Sequence, residues 1–289
     1  MSLSALCRFF ANPARYLLQE RLGIRLEDDE VILEDKERFT LGNLEQYQLR
    51  RELIDQGLSG QDIPNRQETL LAAGRLPHGN PGICSYEDQH RSAIAFLARL
   101  APLASGRRLA DLVIDGTIGP YRLTGRIEHR YDHGVIHFRP AKVKANDRLQ
   151  IWITHLFLHL APDSEGLRQS TYMGEDMTCR YPPLTNPEEH LAKLLAIYWE
   201  GLHHPLRFFP RTSAAYGEAI FNGKDEEAAM KAALSQWRGY KGRENNQQPG
   251  EGEDHYLQLC FPVTAPLDEA FKELSLSIFG PILALEEKI

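Results

Sequence analysis

With 289 residues, 42% of them hydrophobic, the chain carries enough apolar side chain to pack a core without staples. Its four cysteines (Cys7, Cys84, Cys179 and Cys260) lie far apart with no Cys-x-x-Cys pair, which argues against a zinc knuckle or a secreted disulfide framework and makes the cytosol the expected location. A formal net charge of -7 argues against holding nucleic acid by global attraction, because phosphate neutralisation needs clustered Lys and Arg.

The N-terminal stretch LSALCRFFANPARYLL is apolar but broken by Arg8, Asn12, Pro13 and Arg15, so neither a secretion signal nor a membrane span is expected there or elsewhere. Ser2 or Ser4 is placed to cap a helix carrying Leu6, Phe9 and Phe10. A second helix is expected from Asn43, with Gln46 at the capping-box distance, and a third from Ser85. The period then changes. RRLADLVIDG, YRLTGRIEHRY and VIHFR read as three consecutive antiparallel strands separated by Gly-containing turns. The next helix is capped by Asn146, and Leu149, Trp152, Ile153, Leu156, Phe157 and Leu160 form one apolar stripe that must pack on the sheet. The strand pair LRQSTYM and MTCRY precedes a helix opened by Asn186 and Pro187, with Glu188 and Glu189 in its first turn. Helices from Asp225 and Leu267 close the chain, and the polar stretch from Gly239 to His255 reads as a long mobile loop. The expected fold is α/β, with a central mixed sheet flanked by helices: a helical part over residues 1–105, then an α/β core with C-terminal helices over 106–289.

Charge is unevenly distributed. Gly106 to Arg148 holds nine Lys/Arg against five Asp/Glu, a basic island in an acidic chain. Within it Arg122, Arg126, Arg130, Lys142, Lys144 and Arg148 are candidates for a DNA-facing surface; the bland alternative is a sheet edge guarded by charge.

Hairpin, basic turn and helix together resemble the metal site of many DNA-cutting enzymes, which place one acid on the first strand and Asp/Glu-x-Lys on the second. Here the second strand reads Val-Ile-His-Phe-Arg-Pro. If His133-Gly134 is a two-residue turn, the preferred register, Glu128 lies opposite Arg139 and Arg130 opposite His137. A three-residue loop with a left-handed Gly134 would put Glu128 opposite Phe138 instead. Even in the first register, one carboxylate among two guanidiniums and an imidazole repels Mg2+, and a Glu128 to Arg139 ion pair of about 0.5 to 1 kcal/mol is the simpler expectation. His129, His133 and His137 recur every fourth residue, but the strand pattern defeats a helical ligand face. His203-His204 reads as a helix C-terminal cap. Phe208 and Phe209 either plug the core or face a protein partner. Ser213, Cys84 and Cys179 have no readable base partner, and GRLPHGNPG lacks the end of a P-loop.

LCRFFANPARYLLQERLGI, LTGRIEH, GVIHFRP and RLQIWITHLFLHLA resemble the C-terminal domain family of RecC, the non-catalytic large subunit of the bacterial RecBCD helicase-nuclease (exodeoxyribonuclease V). The resemblance covers essentially the whole chain, with Phe-Phe-x-Asn-Pro-x-Arg-Tyr its most specific part. It implies a PD-(D/E)xK nuclease-like fold in which the acid, second acid, Lys and Gln positions fall on Glu128, His137, Arg139 and Gln150, leaving no catalytic residues. It also implies an excised piece of a longer subunit that contacts RecB and RecD and helps guide or split DNA during double-strand break repair. On this reading the domain holds no metal or cofactor, and ATP and Mg2+ belong to partner subunits. Two rival readings remain open: an active nuclease using displaced acids such as Asp115 or Asp147, and a scaffold for protein contacts alone.

Overall fold

The computed structural model describes residues 1–26, 39–58, 66–161, 166–241, 247–262 and 265–289. Ser2 Oγ accepts the Ala5 N–H at 3.1 Å and starts α1 (Leu3–Ala11). Asn12 both ends α1 and caps α2 (Pro13–Tyr16) by accepting the Arg15 N–H at 3.0 Å, with Pro13 in the first turn where no N–H is needed. A π-turn follows at Leu17–Arg21. The aromatic run has a packing role: Phe9 meets Phe10, Tyr16 and Tyr198 edge-on at ring distances of 4.9 to 5.6 Å.

Three further helices follow: α3 (Asn43–Leu58), α4 (Gln67–Ala72) and α5 (Asn80–Leu100). α5 begins five residues before the expected Ser85, because Pro81 is tolerated in a first turn. β1 (Leu112–Ile118) and β2 (Tyr121–Ile127) form a hairpin of their own around Gly119-Pro120. At His129, which adopts a left-handed φ of 52°, the chain turns out of that ladder into β3 (Arg130–Tyr131) and β4 (Gly134–Phe138). The three expected consecutive strands are therefore two separate ladders. α6 (Ala145–Leu158) crosses to β5 (Ser170–Met173), which pairs parallel to β4; β6 (Thr178–Tyr181) then pairs antiparallel to β5. Next come α7 (Pro187–Gly201), α8 (Pro210–Phe221), α9 (Glu226–Arg238), β7 (Gly239–Lys241), β8 (Gln247–Pro249), a 3-10 turn at Glu251–Glu253, α10 (His255–Cys260), α11 (Glu269–Leu285) and β9 (Glu287–Lys288). The main sheet has the order β3-β4-β5-β6-β9 and is mixed.

Alternation along β4 divides the core. Val135 joins Tyr172, Cys179 and Tyr181 on the face covered by α1, α6, α7 and α11, whereas Ile136 and Phe138 join Met173 on the face covered by α3 and α5. As the parallel crossover, α6 lies between the sheet and α1, α7 and α8, so its burial exceeds the expected stripe and includes Ile151, Thr154, His155 and Leu158. Its cap also differs from expectation. Asp147 accepts the Lys144 N–H at 2.8 Å, and Asn146 lies inside the first turn. Part of the expected loop after Gly239 is regular structure, with β7 paired to β8. Half-buried Glu251 accepts the Arg211 and Thr212 N–H groups at 3.0 and 2.7 Å, satisfying the start of α8. Residues 242–246 of that stretch lie outside the described residues. Among the described residues no helix is long and apolar enough to cross a membrane.

The end of α7 tests this packing. A Cβ at Gly201 would fall 2.4 Å from Phe9 Cζ and 2.8 Å from Leu206 Cδ1. Gly201→Ala is expected to lower stability in urea by about 1–3 kcal/mol through overpacking. Helix propensity alone would raise it by about 1 kcal/mol, so the sign of the change decides whether Phe9 needs that gap.

Candidate functional site

The hairpin register differs from both expectations. Arg130 pairs with Val135 and Tyr131 with Gly134, and the Ile136 N–H reaches His129 O at 3.0 Å, so Asp132-His133 forms the turn. Gly134 is needed inside the strand: its φ is 136°, and a Cβ there would lie 2.6 Å from Gln169 O, the acceptor of the Val135 N–H. The turn itself is closed by His133, whose Nε2 donates to Leu103 O at 2.8 Å.

The four nuclease-like positions nevertheless meet around one divided cleft. His137, on the Val135 side of β4, and Gln150, on α6, line both of its compartments, which also share Arg51 of α3 and His129. Arg139, Lys142, Lys144 and Asp147 line the first compartment, about 690 Å³; Arg126 and Glu128 line the second, about 680 Å³. The expected Glu128 to Arg139 pair is absent. Arg139 donates to Asp147 across the turn into α6, and Glu128, largely exposed, lies 3.6 Å from Arg126 Nε. The kink at His129 carries Glu128 out of line with β4, and the helix start offers Arg139 the nearer carboxylate.

Burial pushes His137 down to about 4, assisted by nearby His129. Burial, with Arg108 and Arg51, also lowers His129, so both imidazoles are neutral at pH 7. Arg51 is fixed by Asp55, by Phe138 O at 3.0 Å and by the Phe138 ring 4.3 Å from its guanidinium carbon. Among the described residues, His137 Nε2 and the Tyr172 hydroxyl have no hydrogen-bond partner.

A Mg2+ of the kind nuclease-like sites hold needs about six hard oxygen ligands. Here Glu128 and Asp147 stand in different compartments, Asp147 is held by Arg139 and Lys144, and the first compartment sets four cationic side chains against one carboxylate. Among the described residues no three of His, Cys, Asp and Glu converge on a common point. This donor set does not fit the ion. Asp115, the other displaced acid considered, lies outside both compartments on the exposed hairpin. Arg122 grips it at 2.8 and 2.6 Å and holds its carboxyl below the usual range.

The basic island separates into unlike parts. Arg122 pairs with Asp115 and Arg126 with Asp111; buried Arg130 donates to Ala110 O at 2.8 Å. Arg148 is buried between Glu218 and Glu286. Lys142 and Lys144 are exposed at the cleft, with no ion pair among the described residues. Arg51 and Tyr47, which form the opposite wall, carried no sequence signal, since a basic pair and a tyrosine on a surface helix have many uses. Elsewhere His203 caps α7 by donating to Trp199 O at 2.8 Å, Phe208 and Phe209 are buried in the core, and Ser213 Oγ accepts the Phe209 N–H at 3.2 Å.

A mixed sheet between helical layers defines an α/β domain, and its cleft is lined by more arginine and lysine than carboxylate side chains. Residues 1–221 match the family described as "RecC C-terminal domain", and the chain belongs to that family. Over 294 residues it is 26% identical to the RecBCD enzyme subunit RecC of Escherichia coli, covering 99% of this chain and 26% of that protein. It is 28% identical over 241 residues to the RecC subunit of Mycolicibacterium smegmatis, covering 78% and 21%. It is 26% identical over 201 residues to that of Haemophilus influenzae, covering 67% and 18%. The chain spans about a quarter or less of the length of these relatives.

Proposed function

We propose that this chain is a non-cutting, PD-(D/E)xK nuclease-like domain of a RecC-type subunit, which supports assembly with RecB and RecD and guides or splits DNA in double-strand break repair. The observation that carries the reading is the replacement at the cleft. Where a metal nuclease needs an acid and a lysine on one strand, this chain has neutral His137 and an Arg139 that neutralises Asp147. Phosphodiester hydrolysis by this route requires a hard cation to stabilise charge at the attacked phosphorus, and the cleft opposes that cation. Membership of the RecC family supports the roles in assembly and DNA handling.

The test is a cutting assay on linear single- and double-stranded DNA with Mg2+ or Mn2+. Digestion is expected to stay at the no-protein level and to be unaltered in Glu128→Ala. Metal-dependent digestion lost in Glu128→Ala would overturn the reading in favour of displaced ligands.

A scaffold role for protein contacts is favoured by one separate observation. Trp199 is 54% exposed and packs beside His203 and Tyr121 at ring distances of 4.9 and 6.5 Å, an exposed aromatic group of the kind that anchors interfaces.

A further inference from the structure

The β1–β2 hairpin forms a two-stranded sheet of its own, and its two edges are used differently. With Gly119-Pro120 as a two-residue turn, Ile118 and Tyr121 exchange hydrogen bonds, as does every second pair along the ladder. The residues between them aim their backbone N–H and C=O groups away from the partner strand: Arg122 and Thr124 on β2, and Val113, Asp115 and Thr117 on β1. The β2 edge is occupied, because Arg122 O accepts from the Met1 amino group at 2.6 Å and the Thr124 N–H donates to Met1 O at 2.9 Å. Among the described residues nothing bonds to the outward groups of β1. Natural edges are shielded by Pro, Lys, bulges or short length. β1 has seven uninterrupted pairs and contains neither Pro nor Lys. Its Val113 is 75% exposed, more than any other large apolar side chain among the described residues.

A row of alternating donors and acceptors at strand spacing is matched by an extended polypeptide, and the side chains along the edge define its chemistry. The solvent face is polarised: Asp111 and Asp115 lie on the β1 side, and the arginines that pair with them, Arg126 and Arg122, on β2. A strand added beside β1 therefore meets carboxylates before guanidiniums, an order that repels nucleic-acid phosphate and attracts lysine or arginine. Between the two acids it meets Val113. On the opposite face Leu112 and Ile118 are half-buried and Leu160 packs on Gly116, a shelf for β-branched side chains. We propose that the free edge of β1 docks an extended segment of a partner protein as an added strand, with the pattern basic-x-apolar-x-basic and β-branched residues at x. The pattern reads the same in both directions, so it fits parallel and antiparallel addition alike. This surface goes beyond the functional readings above: Val113, Asp115 and Thr117 line neither compartment of the cleft, so the cutting assay and the test below fail independently.

The test is fluorescence anisotropy of the 289-residue chain with the labelled peptide Thr-Lys-Thr-Val-Thr-Lys-Thr, alongside hydrogen exchange at single amides. Saturable one-to-one binding is expected, and the amides of Val113, Asp115 and Thr117, unprotected in the free chain, should become protected in the complex. Val113→Pro removes one outward N–H and one apolar contact without touching a ladder bond. It is expected to keep the urea midpoint of the unaltered chain and to weaken binding about tenfold. Replacing both peptide lysines by glutamate is expected to weaken binding to the unaltered chain and to favour binding to Asp115→Lys. Should Val113→Pro lower the urea midpoint, that charge exchange decides alone. Any of four results would overturn the proposal: no binding of the lysine peptide, equal affinity in a folded Val113→Pro, no change of preference in Asp115→Lys, or a dimer of the chain that Val113→Pro abolishes. The last would make a second copy of the chain the occupant of the edge.

Discussion

Arg148→Ala is expected to lose about 3–5 kcal/mol of stability, because it removes one partner of a buried ionic cluster and leaves the other charged in a place water does not reach. The Arg148 side chain is 9% exposed and reaches Glu218 on α8 and Glu286 beyond α11; the Glu286 side chain is 2% exposed. In the folded protein the guanidinium offsets the desolvation of Glu286, and without it that carboxylate must stay charged and unpaired or take up a proton. The same contacts bind α6 to α8 and to the residue before β9, so the loss is expected to loosen the edge of the sheet as well. Urea unfolding of Arg148→Ala, Glu286→Gln and the Arg148→Met/Glu286→Gln pair measures the coupling. The double variant should recover at least half of the single-variant loss, since no buried unpaired charge remains and Glu218, 46% exposed, is solvated. A loss below about 1 kcal/mol in Arg148→Ala, the range of an exposed pair, would mean that the cluster is solvated.

Arg148 also illustrates what the sequence could and could not reveal. By position it belonged to the basic island and to a DNA-facing surface, but its two partners lie 70 and 138 residues further along the chain. No local pattern encodes such a pair. Features fixed within a few residues were legible: the Ser2 cap, Pro187 opening α7, the apolar stripe of α6 and the paired strands β5 and β6. The register of β3 and β4 was not, because it depends on the close approach of Gln169 O to Gly134, a contact made only once β5 is in place. The four nuclease-like positions could be named from resemblance, and they do share a cleft. What the cleft does electrically was set by Arg51 of α3, bonded to Phe138 O 87 residues away, and by Asp147, considered from sequence as a displaced nuclease acid and found at the start of α6 neutralising Arg139.

Acidification from pH 7 to pH 5 is expected to destabilise the fold by on the order of 2 kcal/mol through His155 alone. His155 is fully buried. Nε2 lies 3.0 Å from Pro182 O, which can only accept, so Nε2 carries the proton and Nδ1 accepts from Ser170 Oγ at 2.9 Å. Burial, and secondarily neighbouring His159, push it down to about 3. His159 is locked in the same way: Nδ1 donates to His155 O at 2.9 Å, leaving Nε2 to accept the Leu184 N–H at 3.0 Å, and a proton on Nε2 would set two donors against each other. Its ionisation is likewise lowered by burial. The sign follows from which state binds the proton. The unfolded chain protonates these imidazoles near 6.5, whereas the folded chain resists until near 3 for His155. The stabilisation is therefore complete above pH 6.5 and is lost progressively as pH falls from 6.5 towards 3. The interval from pH 6.5 to 5 isolates the histidines, because ordinary carboxylates titrate lower. Thermal unfolding across that interval should show a midpoint that falls with pH, and His155→Gln, which offers both a donor and an acceptor without a titrating proton, should show a shallower fall. Equal slopes in the two proteins would mean that His155 can charge in place, which the Pro182 carbonyl and Ser170 hydroxyl on either side of the ring, and the absence of any described carboxylate beside it, make costly.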